Sequence, residues 1–319
     1  MGLKISLVFL LAFALALEPV PVTPALAQEE IPNPGPRSEQ EARFLEQNAN
    51  EALTKKDYKQ AARDFKRRVD RYPSLPKTED SYLGLLTALL SDRQFPEVMK
   101  YGQELVLRRP AEGIINQARA FMAEAALNLK NFLGARTLAT ELLDHGADSK
   151  QKALAYSIRF QTLLEEKQYQ GATAELDLLR EVLEQEPIES FQKMLPGLKM
   201  SLITRQCITS HLLKDKSVTE EETLDYFSKK NLCFKSALPL AQTVLNPTII
   251  QDWCESFTFF DHELQKLKID SYLKEKIGKD LKATFDFAKG LQEDLVKCYA
   301  PYQPPKPKKR SRKGHRRSS

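Results

Sequence analysis

The sequence LTKKDYKQAA, residues 53–62, decides the fold because its pattern returns three more times at a constant spacing. The matching stretches are LSDRQFPEVM at 90–99, LNLKNFLGAR at 127–136 and LEEKQYQGAT at 164–173. In each stretch an aromatic residue precedes a small or β-branched residue by three positions, and successive aromatics lie 37 residues apart. The aromatics are Tyr58, Phe95, Phe132 and Tyr169, and the residues that follow them are Ala61, Val98, Ala135 and Ala172. A period of this length indicates stacked supersecondary units.

Each unit has the spacing of two packed helices. In the first unit, Ala61 is followed by Phe65 and Val69 at four and eight positions, which is one apolar stripe of a helix. Upstream of the polar turn, Leu45 and Ala49 begin a second stripe. A single helix-turn-helix of this kind cannot bury its apolar face alone, so the units are expected to stack on one another.

The repeat resembles the tetratricopeptide repeat over about Glu39 to Pro187. The first unit matches that family's pattern at Ala49, Tyr58, Ala61, Phe65 and Pro73. The chain departs from it at Gly102 and Ala139, which replace the second aromatic, and in a period longer than the usual one of about 34 residues. The resemblance implies an α-solenoid of four helix-turn-helix units, with the extra residues lengthening the links between units, as in Ser74 to Thr78.

The same resemblance implies that partners bind along a concave face lined by the first helix of each unit. Projected from the first unit, the groove residues are Arg43, Glu46, Asn50, Leu83, Thr87, Gln117, Glu124, Ser157 and Gln161. One subtype of the family holds a partner's C-terminal carboxylate, but here Glu46 stands where that subtype has Lys, and Gly84 stands where it has Asn. We therefore expect an envelope or secreted protein as the partner, without carboxylate capture. The plain alternative is that these are solvated helix residues.

Residues 1–27 predict a cleaved secretory signal. Lys4 precedes the apolar run Ile5 to Leu17, and the segment ends in Ala25, Leu26 and Ala27, a small-x-small pattern before Gln28. As a helix this apolar run spans about 20 Å, short of the roughly 30 Å hydrocarbon core, which disfavours a membrane anchor. We expect an exported chain, periplasmic or extracellular, with no transmembrane span after cleavage.

After the signal, the chain has a Pro-rich linker at 28–38 and the solenoid at 39–187. A predicted helical domain follows at 188–300, where the 37-residue register is lost. Its predicted helices are Phe191 to Leu213, Glu220 to Lys230, Leu232 to Leu245, Thr248 to Lys268 and Tyr272 to Cys298. The predicted fold class is thus all-α, with an α-solenoid followed by a C-terminal helical bundle.

All four cysteines lie in this second domain, at Cys207, Cys233, Cys254 and Cys298. Their spacing offers no close ligand pair for zinc, and an even number in an exported chain favours two disulfides over buried free thiols. Four cysteines allow three pairings. In an up-and-down bundle with a turn near Asn246, we favour Cys233–Cys254 together with Cys207–Cys298.

The tail at 301–319 is Pro-rich and then basic, and it is predicted to be disordered because it cannot bury an apolar face. Residues 303–319 carry eight Lys or Arg and no acid, so the net charge of +5 leaves −3 for the rest of the chain. Residues able to bind an anionic polymer or lipid are Lys308, Lys309, Arg310, Arg312, Lys313, Arg316 and Arg317. Without an aromatic among its basic residues, any nucleic-acid binding would be independent of base sequence.

No motif for catalysis, a metal or a cofactor stands out. The chain has no Gly-rich phosphate loop, no His-Glu-x-x-His and no Gly-x-Ser-x-Gly. The sequence therefore favours a non-enzymatic scaffold or adaptor of the bacterial periplasm or envelope, without cofactor or metal. The alternative is a polymer-binding or membrane-surface protein that acts through its basic tail.

We predict that signal peptidase cleaves after Ala27, so that the exported protein begins at Gln28. N-terminal sequencing of protein from the native envelope tests this. A mature chain that begins at Met1, or inside the apolar run, would contradict the expectation of a free periplasmic protein.

Overall fold

The computed structural model describes residues 36–209, 219–244, 246–266 and 270–291, and these ranges contain twelve α-helices and no strand. The predicted signal, most of the linker, the basic tail and Cys298 lie outside them. The first eight helices are α1 (Pro36–Thr54), α2 (Tyr58–Arg71), α3 (Thr78–Ser91), α4 (Phe95–Leu107), α5 (Glu112–Asn128), α6 (Phe132–Asp144), α7 (Ser149–Glu165) and α8 (Tyr169–Gln185). The remaining four are α9 (Glu189–Thr209), α10 (Glu220–Ala241), α11 (Pro247–Lys266) and α12 (Ser271–Leu291).

The chain divides into two compact units between Leu198 and Lys199, within α9. The first unit contains the repeats and is built in two layers. Helix α1 packs on α3, α3 on α5 and α5 on α7. Helices α2, α4, α6 and α8 pack on these helices and not on one another. In a curved array of helix pairs, the helices that contact one another lie on the inner side, and those that do not lie on the outer side. We call α1, α3, α5 and α7 the inner wall.

The repeat period coincides with the starts of the outer helices. Helices α2, α4, α6 and α8 begin at the four aromatics of the sequence pattern, which are half-buried. The residues three positions later, Ala61, Val98, Ala135 and Ala172, are completely buried. Asp57 accepts a hydrogen bond from the backbone N–H of Gln60 (3.1 Å), and Asn131 accepts one from Gly134 (3.1 Å), so two of these starts are capped by side chains.

The turns between paired helices hold a basic residue in the left-handed region. Lys56, Arg93, Lys130 and Lys167 have φ of 60°, 60°, 60° and 62°. The next residue closes each turn: the N–H of Asp57, for example, donates to the carbonyl of Ala52 (2.8 Å). Glycine is the usual residue at such a helix C-terminus, but a basic side chain interacts favourably with the helix dipole and offsets part of the backbone cost.

The links between units differ from the expectation. Residues 72–77 form a long first link, but the later links, 108–111 and 145–148, are shorter, and α5 and α7 have 17 residues where α3 has 14. The extra length therefore lies in the inner helices of the later units. The first link is held by Arg68, which is only 2% exposed. Its guanidinium donates to the carbonyls of Tyr72 (2.6 Å) and Pro76 (3.0 Å).

Close contact between α2 and α3 depends on Gly84. A Cβ at this position would overlap the ring of Phe65, which is 2% exposed in the core. Gly84, which stands where a carboxylate-binding repeat has Asn, thus has a packing role in this fold.

The second unit has an aromatic core. Phe234 contacts Trp253, Phe257 and Phe260 with ring centroids 5.7–6.3 Å apart. The indole N–H of Trp253 donates to the Phe234 carbonyl (3.0 Å). The predicted break between Lys230 and Leu232 is wrong: α10 is continuous, because its apolar residues keep facing α11 and α12 across that position.

The structure joins Cys207 of α9 to Cys233 of α10, with their Cα atoms 5.6 Å apart. The favoured pairing of Cys233 with Cys254 is therefore wrong, and so is that of Cys207 with Cys298. Cys254 is also disulfide-bonded. The pairing relied on a turn near Asn246, and the structure has one there, between Ala241 and Pro247. However, Phe234 is the residue that faces Trp253 of α11, whereas Cys233 lies beside α9, where Lys230 also donates to the Ile208 carbonyl (2.9 Å).

We predict that Gly84→Ala destabilises the first unit by about 1–3 kcal/mol, since the added methyl forces apart α2 and α3. Gly113→Ala is the matched control, because a Cβ there meets nothing within 4 Å. Chemical denaturation of the two variants tests this. Equal stabilities would show that the Phe65 contact does not limit helix approach.

We also predict a Cys207–Cys233 cross-link in the folded protein, closing a loop with a sequence separation of 26. In the chain-entropy model such a loop contributes about 3 kcal/mol, so Cys207→Ala with Cys233→Ala should lower the stability of the second unit by that order. Non-reducing peptide mapping checks the pairing. A Cys233–Cys254 peptide would refute it.

Candidate partner-binding wall

An open cleft lies on the inner face of the first unit. It has a volume of about 530 Å³, and its lining residues are Arg43, Glu46, Gln47, Asn50, Glu51, Thr54 and Lys77. Three residues projected onto the groove from the sequence, Arg43, Glu46 and Asn50, thus lie together here. Lys77 joins them from the link before α3, in a left-handed conformation with φ of 62°. The cleft presents both charge signs to a partner.

Four polar residues occupy equivalent places along the inner wall. Asn50, Thr87, Glu124 and Gln161 follow one another at intervals of 37 residues, one in each of α1, α3, α5 and α7. Their exposure falls along the array: Asn50 is exposed, Thr87 is half-buried, and Glu124 and Gln161 are 6% and 8% exposed. The wall is therefore open at the first repeat and closely packed at the third and fourth repeats.

The other projected groove residues are packed to different degrees. Gln117 is half-buried, Leu83 is 5% exposed, and Ser157 has no exposed surface. The Ser157 hydroxyl donates to the Leu154 carbonyl (2.8 Å). Leu83 and Ser157 thus pack within the inner wall in this structure. The repeat register locates their helix face, but the neighbouring helices determine their accessibility.

Glu124 points away from the outer helices. Two residues earlier on α5, Met122 packs against Gly102 of α4. In a helix two positions differ by about 200°, so Glu124 lies on the opposite side of α5 from this outer contact. Gln117, seven positions before Glu124, shares its face. On α7, Leu163 packs against Gly171 of α8, which places Gln161 on the inner side by the same argument.

Burial raises the pKa of the Glu124 carboxyl to about 8, and no charged group contributes to this shift. The folded-state pKa is above the model value of 4.5, so ionisation opposes folding. The stabilising effect of the proton is fully present below about pH 4.5 and is lost as the pH rises toward 8. Glu124, which the repeat register projects onto the groove, is therefore a buried acid, and reversing its charge is expected to lower the stability of the fold.

The basic side chains of the neighbouring helices are engaged elsewhere. Arg119 pairs with Glu112 (2.6 Å) and Glu141 (3.6 Å). Arg136 pairs with Glu166 at 2.6 Å, and Arg159 pairs with Glu175 at 2.6 Å. Apart from Arg119–Glu112, which lies within α5, these pairs join successive helices, and no described basic side chain pairs with the Glu124 carboxyl.

Two amide atoms of the wall are also unpaired. Gln117 Oε1 and Gln161 Nε2 are buried and have no hydrogen-bond partner. A buried polar atom left unpaired costs roughly 1–3 kcal/mol. We call Gln117, Glu124 and Gln161 the polar cluster. The sequence located all three on the groove, but their burial depends on contacts among helices that are distant in sequence.

Two residues with defined roles were not identified from the sequence. Lys77 contributes charge to the open cleft, and Arg68 organises the link that carries it. Lys77 belongs to the long first link and Arg68 contacts it. From the sequence, this link was expected only to lengthen the connection between two repeats. The sole sequence signal for Arg68 is that a charged residue falls beside the apolar stripe at Val69.

Within the described ranges, no group of three or more His, Cys, Asp or Glu side chains could hold a metal ion. None of the described helices is long and apolar enough to cross a membrane.

No family model matches the sequence, and no curated protein matches it. A structural match is a crystal structure of a tetratricopeptide repeat protein from Parabacteroides merdae ATCC 43184. The two are 12% identical with a TM-score of 0.43, and the match covers 82% of this chain and 98% of that one. Similarity at this level carries no functional inference. On the geometry of its own helix pairs, the first unit is a TPR-like α-solenoid.

Proposed function

We propose that this chain is a non-enzymatic scaffold or adaptor of the bacterial periplasm or cell envelope that binds another protein along its inner wall. The open cleft of the first unit is the observation that carries the proposal. It is formed by one face of α1 together with Lys77, and it is lined by polar and charged side chains.

The chemistry of the cleft suits a polar segment of a partner. Among the described residues, Arg43 pairs with its helix neighbour Glu39, at 3.5 Å and with 82% of the Arg43 side chain exposed. An exposed pair of this kind contributes little to stability, so its charges can be redirected to a ligand at low cost. Asn50 adds an exposed amide that can donate to and accept from a peptide backbone.

Two features support export. Residues 1–27 have the order of a secretory signal, and the Cys207–Cys233 disulfide is of a kind that persists in oxidising compartments. The bacterial assignment rests on the style of the signal. The proposed organisation has a signal at 1–27, a linker at 28–38, the solenoid at 39–187, the helical domain at 188–300 and the tail at 301–319.

The second candidate is binding of an anionic polymer or membrane surface through the basic tail. Eight Lys or Arg within residues 303–319 favour it, since clustered basic residues bind anionic surfaces. In that case the solenoid would be a spacer.

We predict that a photo-crosslinking residue at Gln47, inside the cleft, captures a defined envelope protein in the native organism. The same group at Arg63, exposed on α2 of the outer layer, is the matched control and should not capture it. Arg43→Glu with Asn50→Ala should reduce capture at least tenfold and leave the melting temperature nearly unchanged, because both residues are exposed and substitutions at such sites shift stability by only about 0.5 kcal/mol.

Deleting residues 301–319 separates the two candidates. A scaffold keeps its protein partner after the deletion, whereas a polymer-binding protein loses retention in the envelope. Full capture by the cleft variant, combined with loss of retention on tail deletion, would overturn the scaffold proposal.

A further inference from the structure

The polar cluster of the third and fourth repeats has hydrogen-bonding capacity that the chain does not use. Glu124 has no ionic partner, Gln117 Oε1 lacks a donor, and Gln161 Nε2 lacks an acceptor. Glu124 and Gln161 are both more than nine-tenths buried and lie on the inner side of their helices. A fold that required only packing at these positions would be more stable with apolar side chains there.

These groups specify the chemistry of a ligand. An ionised Glu124 and Gln117 Oε1 are both acceptors, and they suit a group with several donors and no acceptor. Lysine ammonium and arginine guanidinium groups are of this type. Gln161 Nε2 is a donor, and it suits a backbone carbonyl of the segment that carries the basic side chain.

Among the described residues, no basic side chain of the neighbouring helices forms an ion pair with Glu124. Arg119 of α5, Arg136 of α6 and Arg159 of α7 are each paired with a carboxylate. On α3, the first turn contributes the acids Glu79 and Asp80, and α4 contributes Glu97, Lys100 and Glu104. None of these groups shifts the pKa of Glu124, which burial alone raises.

We propose that the polar cluster binds a basic side chain of the partner, with Glu124 as its counter-ion, Gln117 as a second acceptor and Gln161 as a donor to the partner backbone. This inference rests on the proposed function and names the chemical class that the inner wall recognises. A partner segment would thus contact the cleft at α1 and place a lysine or arginine against the inner side of α5 and α7.

Binding of this kind is coupled to release of a proton. The free carboxyl is largely protonated at neutral pH because its pKa is about 8, and it must ionise to pair with a cation. Affinity should therefore rise about tenfold per pH unit between pH 6 and about 7.5, and level off above pH 8. Lysine side chains remain charged throughout this range, so the dependence belongs to the protein.

Isothermal titration of the full-length protein with an octalysine peptide tests the proposal. Measurements at pH 6, 7 and 8, each in two buffers with different ionisation enthalpies, give the affinity and the protons released. The wild-type protein should release close to one proton per bound peptide at pH 7. Glu124→Gln should abolish this release and flatten the pH dependence.

Two further variants define the site. Glu181→Gln is the matched control: it removes an exposed acid from α8 of the outer layer, away from the inner wall, and it should leave proton release unchanged. Gln117→Leu removes an acceptor without altering charge, so it should weaken binding severalfold and retain proton release. Circular dichroism and thermal unfolding establish that each variant is folded. If Glu124→Gln does not fold, the Gln117→Leu result and the wild-type pH dependence decide the question.

The proposal is overturned if wild-type protein binds octalysine without proton release, or if Glu124→Gln releases as many protons as wild type. Its failure is distinguishable from failure of the scaffold function. Equal capture of the envelope partner from the Gln47 position by wild type and by Glu124→Gln, at pH 6 and at pH 8, would refute the cation site and leave the scaffold function standing.

Discussion

The contact on which the first unit depends is that of a small residue in each outer helix with the inner wall. Ala61, Val98, Ala135 and Ala172 are completely buried at an interval of 37 residues, where each outer helix packs on the inner wall. Because each repeat contacts mainly its neighbours, the array is stabilised by many similar local interfaces. A side chain that enlarges one of these contacts would displace every helix stacked beyond it. Gly84 beneath Phe65 shows the same constraint on the opposite side of the interface.

The inner wall combines two requirements that conflict. Packing of α5 on α7 stabilises the array, but it also buries Glu124 and Gln161, and burial of polar groups is costly. The first repeat avoids this conflict, since Asn50 stays exposed beside the cleft. The wall thus offers an open, mixed-charge surface at one end and buried, unpaired polar groups further along. A partner segment that supplied a cation at the second site would relieve the cost there.

The second unit is stabilised differently. Its core is a group of aromatic rings around Phe234 and Trp253, and a disulfide joins α9 to α10. A non-repeating helical unit has no neighbouring copy on which to stack, so each of its helices must be held by its own contacts. The buried Lys230 illustrates this: its ammonium caps the α9 carbonyl at Ile208 and lies over the Tyr226 ring, although desolvation lowers its pKa.

The sequence by itself determined the helical repeat, its 37-residue register and the face of each inner helix, because periodicity is a local property that each unit repeats. It also placed Glu124 and Gln161 on the inner wall. Only the tertiary structure decided how deeply they are buried, since that depends on side chains from helices far away in sequence. The same reason explains the disulfide. Cysteine spacing limits the possible pairings, but the packing of α9 beside α10 is what brings Cys207 and Cys233 together.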